Sequence, residues 1–221
     1  MYKYLLILFS SVVLCHVSYP QRTITDPSIN VLHYQFSIAL NDDNDNIKGE
    51  AVISFACLKN VSSIDFDLSG KNKSGKGMTV NAVKQGDKNI SFKQEEEVLH
   101  INTTGSAGQT IDITIDYEGI PATGLIIDKN KYGHRTFFGD NWPNRAHCWL
   151  PCVDHPSDKA AVDFIVTAPD HYQVVGNGVQ VEESNLPNHL KLTHWKETAE
   201  LPMKVMAIGV ADFAVNYAGD S

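Results

Sequence analysis

The chain reads as an all-β protein, with large antiparallel sheets packed as a saddle-like sandwich. Three observations predict this. Short segments alternate apolar and polar residues with a period of 2. Turn signals rich in Gly, Asn and Lys separate them at regular intervals. No window long enough for a stable helix carries an apolar stripe at 3.6-residue spacing.

The elements follow in order. Leu32, Tyr34, Phe36, Ile38 and Leu40 alternate with His33, Gln35, Ser37 and Ala39. The polar run Asn41 to Asn46 then turns the chain, and Ile47, Gly49, Ala51, Ile53 and Phe55 form a second alternating set, which together predict a hairpin. Ile64, Phe66 and Leu68 alternate with Asp65 and Asp67. Shorter runs stand at Met78 to Val83, Ile90 to Phe92 and Val98 to Ile101. Ile111, Ile113, Ile115 and Tyr117 make another one-sided strand, as do Val162, Phe164 and Val166. Tyr172 to Val175, Val179 to Val181, Leu190 to Trp195 and Met203 to Val210 complete the set. Neither an internal repeat nor a linker divides the mature chain.

The chain has 221 residues, 43% of them hydrophobic, which is enough to bury a substantial core. Its formal charge of −8, without a basic run, disfavours nucleic acid and anionic membrane as partners. Lys3 followed by the apolar stretch Leu5 to Val17 reads as a signal peptide over residues 1–18, and Pro20-Gln21-Arg22 interrupts too early for a membrane span. Export to the periplasm or the medium is expected, with no other membrane association. Cys57, Cys148 and Cys152 remain after cleavage, an odd number that leaves at least one free thiol. An extended Cys148 to Cys152 segment separates the pair by roughly 13 Å, too far for a disulfide. At least two of these cysteines are expected as buried small apolar groups.

Candidate chemistry concentrates between Thr136 and Lys159, where aromatics, prolines, two cysteines, two histidines and three aspartates follow neither period. That mixture predicts a shaped loop of the kind that carries function. His147, Cys148, Cys152 and His155 are the nearest approach to a zinc-ligand cluster. All four lie within one proline-interrupted segment rather than in two separated pairs, so packing is the favoured role. The turn Asn41 to Asn46 offers alternating oxygen ligands but has Asn46 where a calcium loop needs Gly, and Val52 where it needs Glu. A solvated turn is expected there. Neither a Gly-x-Ser-x-Gly elbow nor a His-Glu-x-x-His pair occurs. Asn60, Asn72, Asn89 and Asn102 begin Asn-x-Ser/Thr sequons suited to exposed turns.

Asn141-Trp142-Pro143-Asn144-Arg145-Ala146 and Leu150-Pro151-Cys152-Val153-Asp154-His155-Pro156 through Ala160 resemble the N-terminal domain of the zinc aminopeptidase family that includes aminopeptidase N and leukotriene hydrolase. The hairpin with Tyr34 and Gly49, the Asn177-Gly178 turn and Pro202-Met203-Lys204 into Gly209 extend the resemblance over residues 22–221. The resemblance implies a saddle-shaped β domain that caps a zinc-bearing domain, with the loop before Pro-Cys-x-Asp-x-Pro lining the pocket for the substrate's first residue. Where that family carries a pocket Gln or Glu, this chain has Trp142, an apolar wall. Asp140 and Asn141 are then the polar groups placed to take the amine contact. His147 falls where the family has Arg, and Cys152 and Asp154 are expected as structural supports.

The family's Gly-x-Met-Glu-Asn loop and zinc-binding helix are not in this sequence. The resemblance therefore implies no cofactor in this chain, zinc in a missing catalytic domain, and no hydrolysis by this polypeptide alone. Its implied partners are that domain and a peptide N-terminus, and the domain is expected to be incomplete at its C-terminal end. An open sheet edge and an apolar face would then favour aggregation or oligomerisation. The rival expectation is a stand-alone β-sandwich module that binds a glycan or protein through Tyr132, Phe137, Phe138, Trp142 and Trp149.

Overall fold

The structure, a computed structural model, describes residues 28–216, so the expected signal peptide lies outside the described residues. The strands are β1 (Ile29–Ala39), β2 (Ile47–Cys57), β3 (Ile64–Asp67), β4 (Gly77–Gln85), β5 (Lys88–Asn89), β6 (Phe92–Gln94), β7 (Val98–Ile101) and β8 (Thr110–Ile120). They continue with β9 (Leu125–Lys129), β10 (Arg135–Gly139), β11 (Ala160–Pro169), β12 (Gln173–Gly176), β13 (Val179–Leu186), β14 (Leu190–Leu201) and β15 (Ile208–Ala211). Two 3-10 turns, Ala146–Cys148 and Met203–Val205, are the helical elements among the described residues.

An eight-stranded sheet runs β13-β14-β11-β1-β2-β8-β4-β5, beside a four-stranded sheet β12-β15-β10-β9 and a three-stranded sheet β3-β7-β6. The all-β expectation holds, with one addition: β11 joins β1 in parallel, Phe164 opposite Phe36, so the large sheet is mixed. One apolar cluster draws Phe36, Ile53 and Ile113 from the large sheet, Phe66 and Leu99 from the three-stranded sheet, and Phe137 and Val210 from the four-stranded sheet. The smaller sheets thus cover the inner face of the large one.

The β1–β2 hairpin forms as expected, with Tyr34 opposite Ile53. A bulge between Val31 and His33 shifts the phase: Val31 is buried, whereas Leu32, expected in the core, is 39% exposed. Gly49 pairs with Tyr117, and an added Cβ would lie 2.2 Å from the Tyr117 ring, so the glycine makes room for a buried tyrosine. Three further expectations are corrected. Residues 136–139 are not loop but part of β10, hairpinned to the unforeseen β9 across Asn130 and Gly133, whose φ is +87°. The run from Met203 begins as a 3-10 turn, and only Ile208–Ala211 is strand. Ile90 and Ser91 separate β5 from β6 rather than forming strand.

The Asn41–Asn46 turn closes on itself, the Asn41 carboxamide oxygen accepting from the amides of Asp43 and Asn44 at 2.9 Å each. Its carboxylates tie the large sheet to the four-stranded one. Tyr172 donates to Asp42 at 2.5 Å, and Arg135 pairs with Asp45 at 2.7 Å. His171 bridges Asp42 (3.0 Å) and Asp212 (2.6 Å). Burial works against ionised Asp42, yet the hydrogen bonds from Tyr172 and His171 hold its carboxyl below the usual range. The same clasp, led by the Asp212 hydrogen bond, raises His171.

Candidate functional site

The loop leaves β10 at Gly139 and is fixed at once. The Asp140 amide donates to the Gly124 carbonyl at 2.6 Å, and a Cβ at Gly124 would collide with the Arg145 carbonyl at 2.1 Å. Asn141 is turned inward and is 2% exposed. Its carboxamide nitrogen donates to the carbonyls of Met203 (3.2 Å) and Met206 (2.5 Å), and its oxygen accepts from the indole N–H of the wholly buried Trp149 (2.8 Å). One side chain therefore joins the loop, the 3-10 turn after it and the approach to β15.

Asp140 and Trp142 point the other way. Asp140 pairs with Arg145 at 2.6 Å, and Arg145 also donates to the Trp142 carbonyl at 2.6 Å. Trp142 precedes a cis peptide bond to Pro143, is 59% exposed and carries the Lys204 ammonium 4.8 Å from its ring centroid. Of the three expected pocket residues, two therefore present side chains at the surface, while Asn141 is the buried anchor beneath them.

The second half of the loop is sewn into the core. Cys152 and Asp67 exchange backbone hydrogen bonds of 2.7 and 3.1 Å, and the Asp67 carboxylate accepts from the Asp154 amide at 3.0 Å. The alternation of β3 places Asp67 in solvent; it is instead 4% exposed, because the loop supplies its hydrogen bonds. Tyr34 accepts from the Val153 amide at 3.0 Å, and Asp158 from the Val31 amide at 3.3 Å. Burial raises the Asp158 carboxyl to about 6. Asp154 accepts from both the amide (3.2 Å) and ring Nδ1 (2.7 Å) of His147. Burial is the largest single influence and disfavours the charged ring, but the contacts with Asp154 and Cys148 together outweigh it and raise His147 to about 10.

These partners hold the four candidate ligands to other roles, since His147 faces Asp154, His155 bonds Ser157 and Cys152 is sealed in the core. Among the described residues, no group of three or more His, Cys, Asp or Glu is arranged to hold a metal ion, so the described residues do not fit a zinc site. Cys57, Cys148 and Cys152 are free and buried. The expected aromatic platform does not assemble either: Phe137 and Trp149 are core residues, while Tyr132, Phe138 and Trp142 remain exposed. No helix among the described residues is long and apolar enough to cross a membrane.

Beside the rim lies a feature the sequence did not reveal. Val175, Gly209, Phe138 and Ile126 stand in register across the four-stranded sheet, on its outer face. Val175 and Ile126 are each 46% exposed and Phe138 39%, and the side chains of Val175 and Phe138 lean over Gly209. Phe213 adds an edge-on ring 6.1 Å from Phe138. The next row, Val174, Val210, Phe137 and Ile127, turns inward to the core. A sheet this thin thus has two apolar faces, one buried and one open.

Fold and loop together define an all-β domain with a tightly hydrogen-bonded loop beside an open apolar sheet face. The Peptidase M1 N-terminal domain family matches residues 30–203, and the chain belongs to that family. The chain is 25% identical over 140 residues to the protein named Probable aminopeptidase 2 of Sulfurisphaera tokodaii, covering 62% of this chain and 17% of that one. Among solved structures, it resembles an M1 zinc metallopeptidase from Deinococcus radiodurans with a TM-score of 0.73 and 20% identity, over 83% of this chain and 42% of that one. Native yeast LTA4 hydrolase gives a TM-score of 0.73 at 19% identity, over 87% of this chain and 30% of that one. The chain thus spans less than half the length of each.

Proposed function

We propose that the chain is the N-terminal, non-catalytic domain of an exported zinc metalloaminopeptidase, an enzyme that removes N-terminal residues from peptides. The observation that carries this reading is the exposed apolar row Val175–Phe138–Ile126 beside the Trp142 rim. A soluble domain gains by covering such a face, and the much longer relatives have further chain with which to cover it. In this arrangement the four-stranded sheet seats on the metal-bearing domain, and Asp140 and Trp142 line the substrate pocket from above. Trp142 supplies an apolar wall for the substrate's first side chain. Asp140, shared with Arg145, supplies the carboxylate that meets the free amine. Asn141 holds both in place from below. Lys3 and the apolar run Leu5 to Val17 support export. Zinc belongs to the other domain in this reading.

The test is to express the whole open reading frame and assay aminoacyl-anilide hydrolysis with and without a chelator. Chelator-sensitive turnover is expected, with Asp140→Asn raising KM more than it lowers kcat. The 221-residue chain alone should bind zinc no better than a scrambled control and cleave no anilide. Stoichiometric zinc with turnover by the chain alone would overturn the proposal.

A further inference from the structure

His171 stands between β11 and β12 with both ring nitrogens against carboxylates, Nδ1 2.6 Å from Asp212 and Nε2 3.0 Å from Asp42. A neutral imidazole carries one N–H and one lone pair, so only the imidazolium satisfies both contacts. The two carboxylates are held differently. Asp42, in the turn after β1, also accepts from the Tyr172 hydroxyl at 2.5 Å and feels the Arg135 guanidinium of β10, which Asp45 pins at 2.7 Å. Asp212 lies on irregular chain just after β15, where it also meets Nδ1 of His134 at 2.8 Å, on a ring that is 57% exposed. The next residue, Phe213, sets its ring edge-on to Phe138 of the outer apolar row at 6.1 Å. Lys129 of β9 and Asp43 of the β1–β2 turn also face this cleft, while Asp170 is turned away to His189 at 3.3 Å.

From this geometry we propose that His171 is a pH-operated latch: protonated, it ties the Asp212–Phe213 segment to the β1–β2 turn, and its deprotonation releases that segment and uncovers Phe138. Asp42 is the fixed carboxylate, so the one remaining ring proton stays on Nε2, facing it. Nδ1 then turns a lone pair on Asp212, and an attraction becomes a repulsion. Asp212 is the partner that moves, because no strand holds it, and Phe213 moves with it. The Asp212 hydrogen bond leads in raising His171, so the latch is fully closed below the unfolded imidazole value of about 6.5 and opens as pH rises through the raised folded value. On the acid side burial opposes ionised Asp42, but Tyr172 and His171 hold it below its usual range, so that contact fails only as pH falls through the lowered value. Burial, and then Asp42, raise the Tyr172 hydroxyl, which donates throughout. The latch lies within this one domain and stands apart from the proposed aminopeptidase role.

The experiment titrates the 221-residue chain, isotope-labelled at histidine, from about pH 5.5 to about pH 9.5 by NMR, following each imidazole. Exchange of the Phe213 amide, which donates to the Ala211 carbonyl at 2.8 Å, reports the segment once corrected for intrinsic pH dependence. The His171 midpoint should lie above about 6.5. Across that midpoint the protection of the Phe213 amide should fall about fivefold, the size a half-exposed ion pair supports, and the ring contact between Phe213 and Phe138 should fade with it. Asp212→Asn should lower the His171 midpoint and leave the segment open at every pH, and His171→Gln should abolish the step. A midpoint at or below about 6.5, or protection that stays level through it, sinks the inference. Both readings come from the wild type and decide the matter even if a variant does not fold.

Discussion

Replacing Asn141 by Ala tests whether the rim is held from beneath. The change removes three hydrogen bonds, to Trp149 Nε1, the Met203 carbonyl and the Met206 carbonyl, from a side chain that is 2% exposed. At a net contribution of about 1 kcal/mol each they amount to about 3 kcal/mol, and the stranded indole N–H raises the loss to about 4 kcal/mol. For a domain of this size each kcal/mol moves Tm by about 2–4 °C, so a fall of about 8–16 °C is expected. Thermal and urea unfolding, followed by tryptophan fluorescence, would measure it. Trp149→Phe in the Asn141→Ala background should cost far less than in the wild type, because its hydrogen-bond partner is already gone. A loss below about 1 kcal/mol, or strictly additive effects, would refute the anchor argument.

Two other outcomes follow from the same packing. Gly49→Ala should destabilise by about 2–3 kcal/mol in urea titration, since the new methyl would stand 2.2 Å from Cζ of Tyr117 and the ring is buried on every side. The His147–Asp154 pair gives a pH dependence with a defined sign. His147 is raised in the folded state, so its contribution is fully present below the unfolded value of about 6.5 and is lost as pH rises through about 10. Wild type should therefore lose more stability than His147→Gln between those limits, and parallel pH–stability curves would count against the ion pair.

Much of the fold was legible because a half-buried strand writes its inner face at every second residue. Ile111, Ile113, Ile115 and Tyr117 were readable, and all four are buried. Leu32 was misread because a bulge changes the phase without changing composition. Strands β9 and β10 escaped because each is five residues long and the sheet they enter is apolar on both faces, so no alternation marks them. At the site, the sequence singled out the loop and the residues Asp140, Asn141 and Trp142. It did not reveal that Asn141 faces inward while its neighbours face outward, nor that Asp67 waits in β3 to receive the loop.

By itself, then, the sequence determined the all-β class, most strand positions, the special loop and at least one free thiol, since these rest on local periodicity and residue chemistry. The tertiary structure alone decided the parallel docking of β11 on β1, the His147–Asp154 pair and the apolar row across β12, β15, β10 and β9. Each of those joins groups through space by strand register and loop path, quantities that no local pattern encodes.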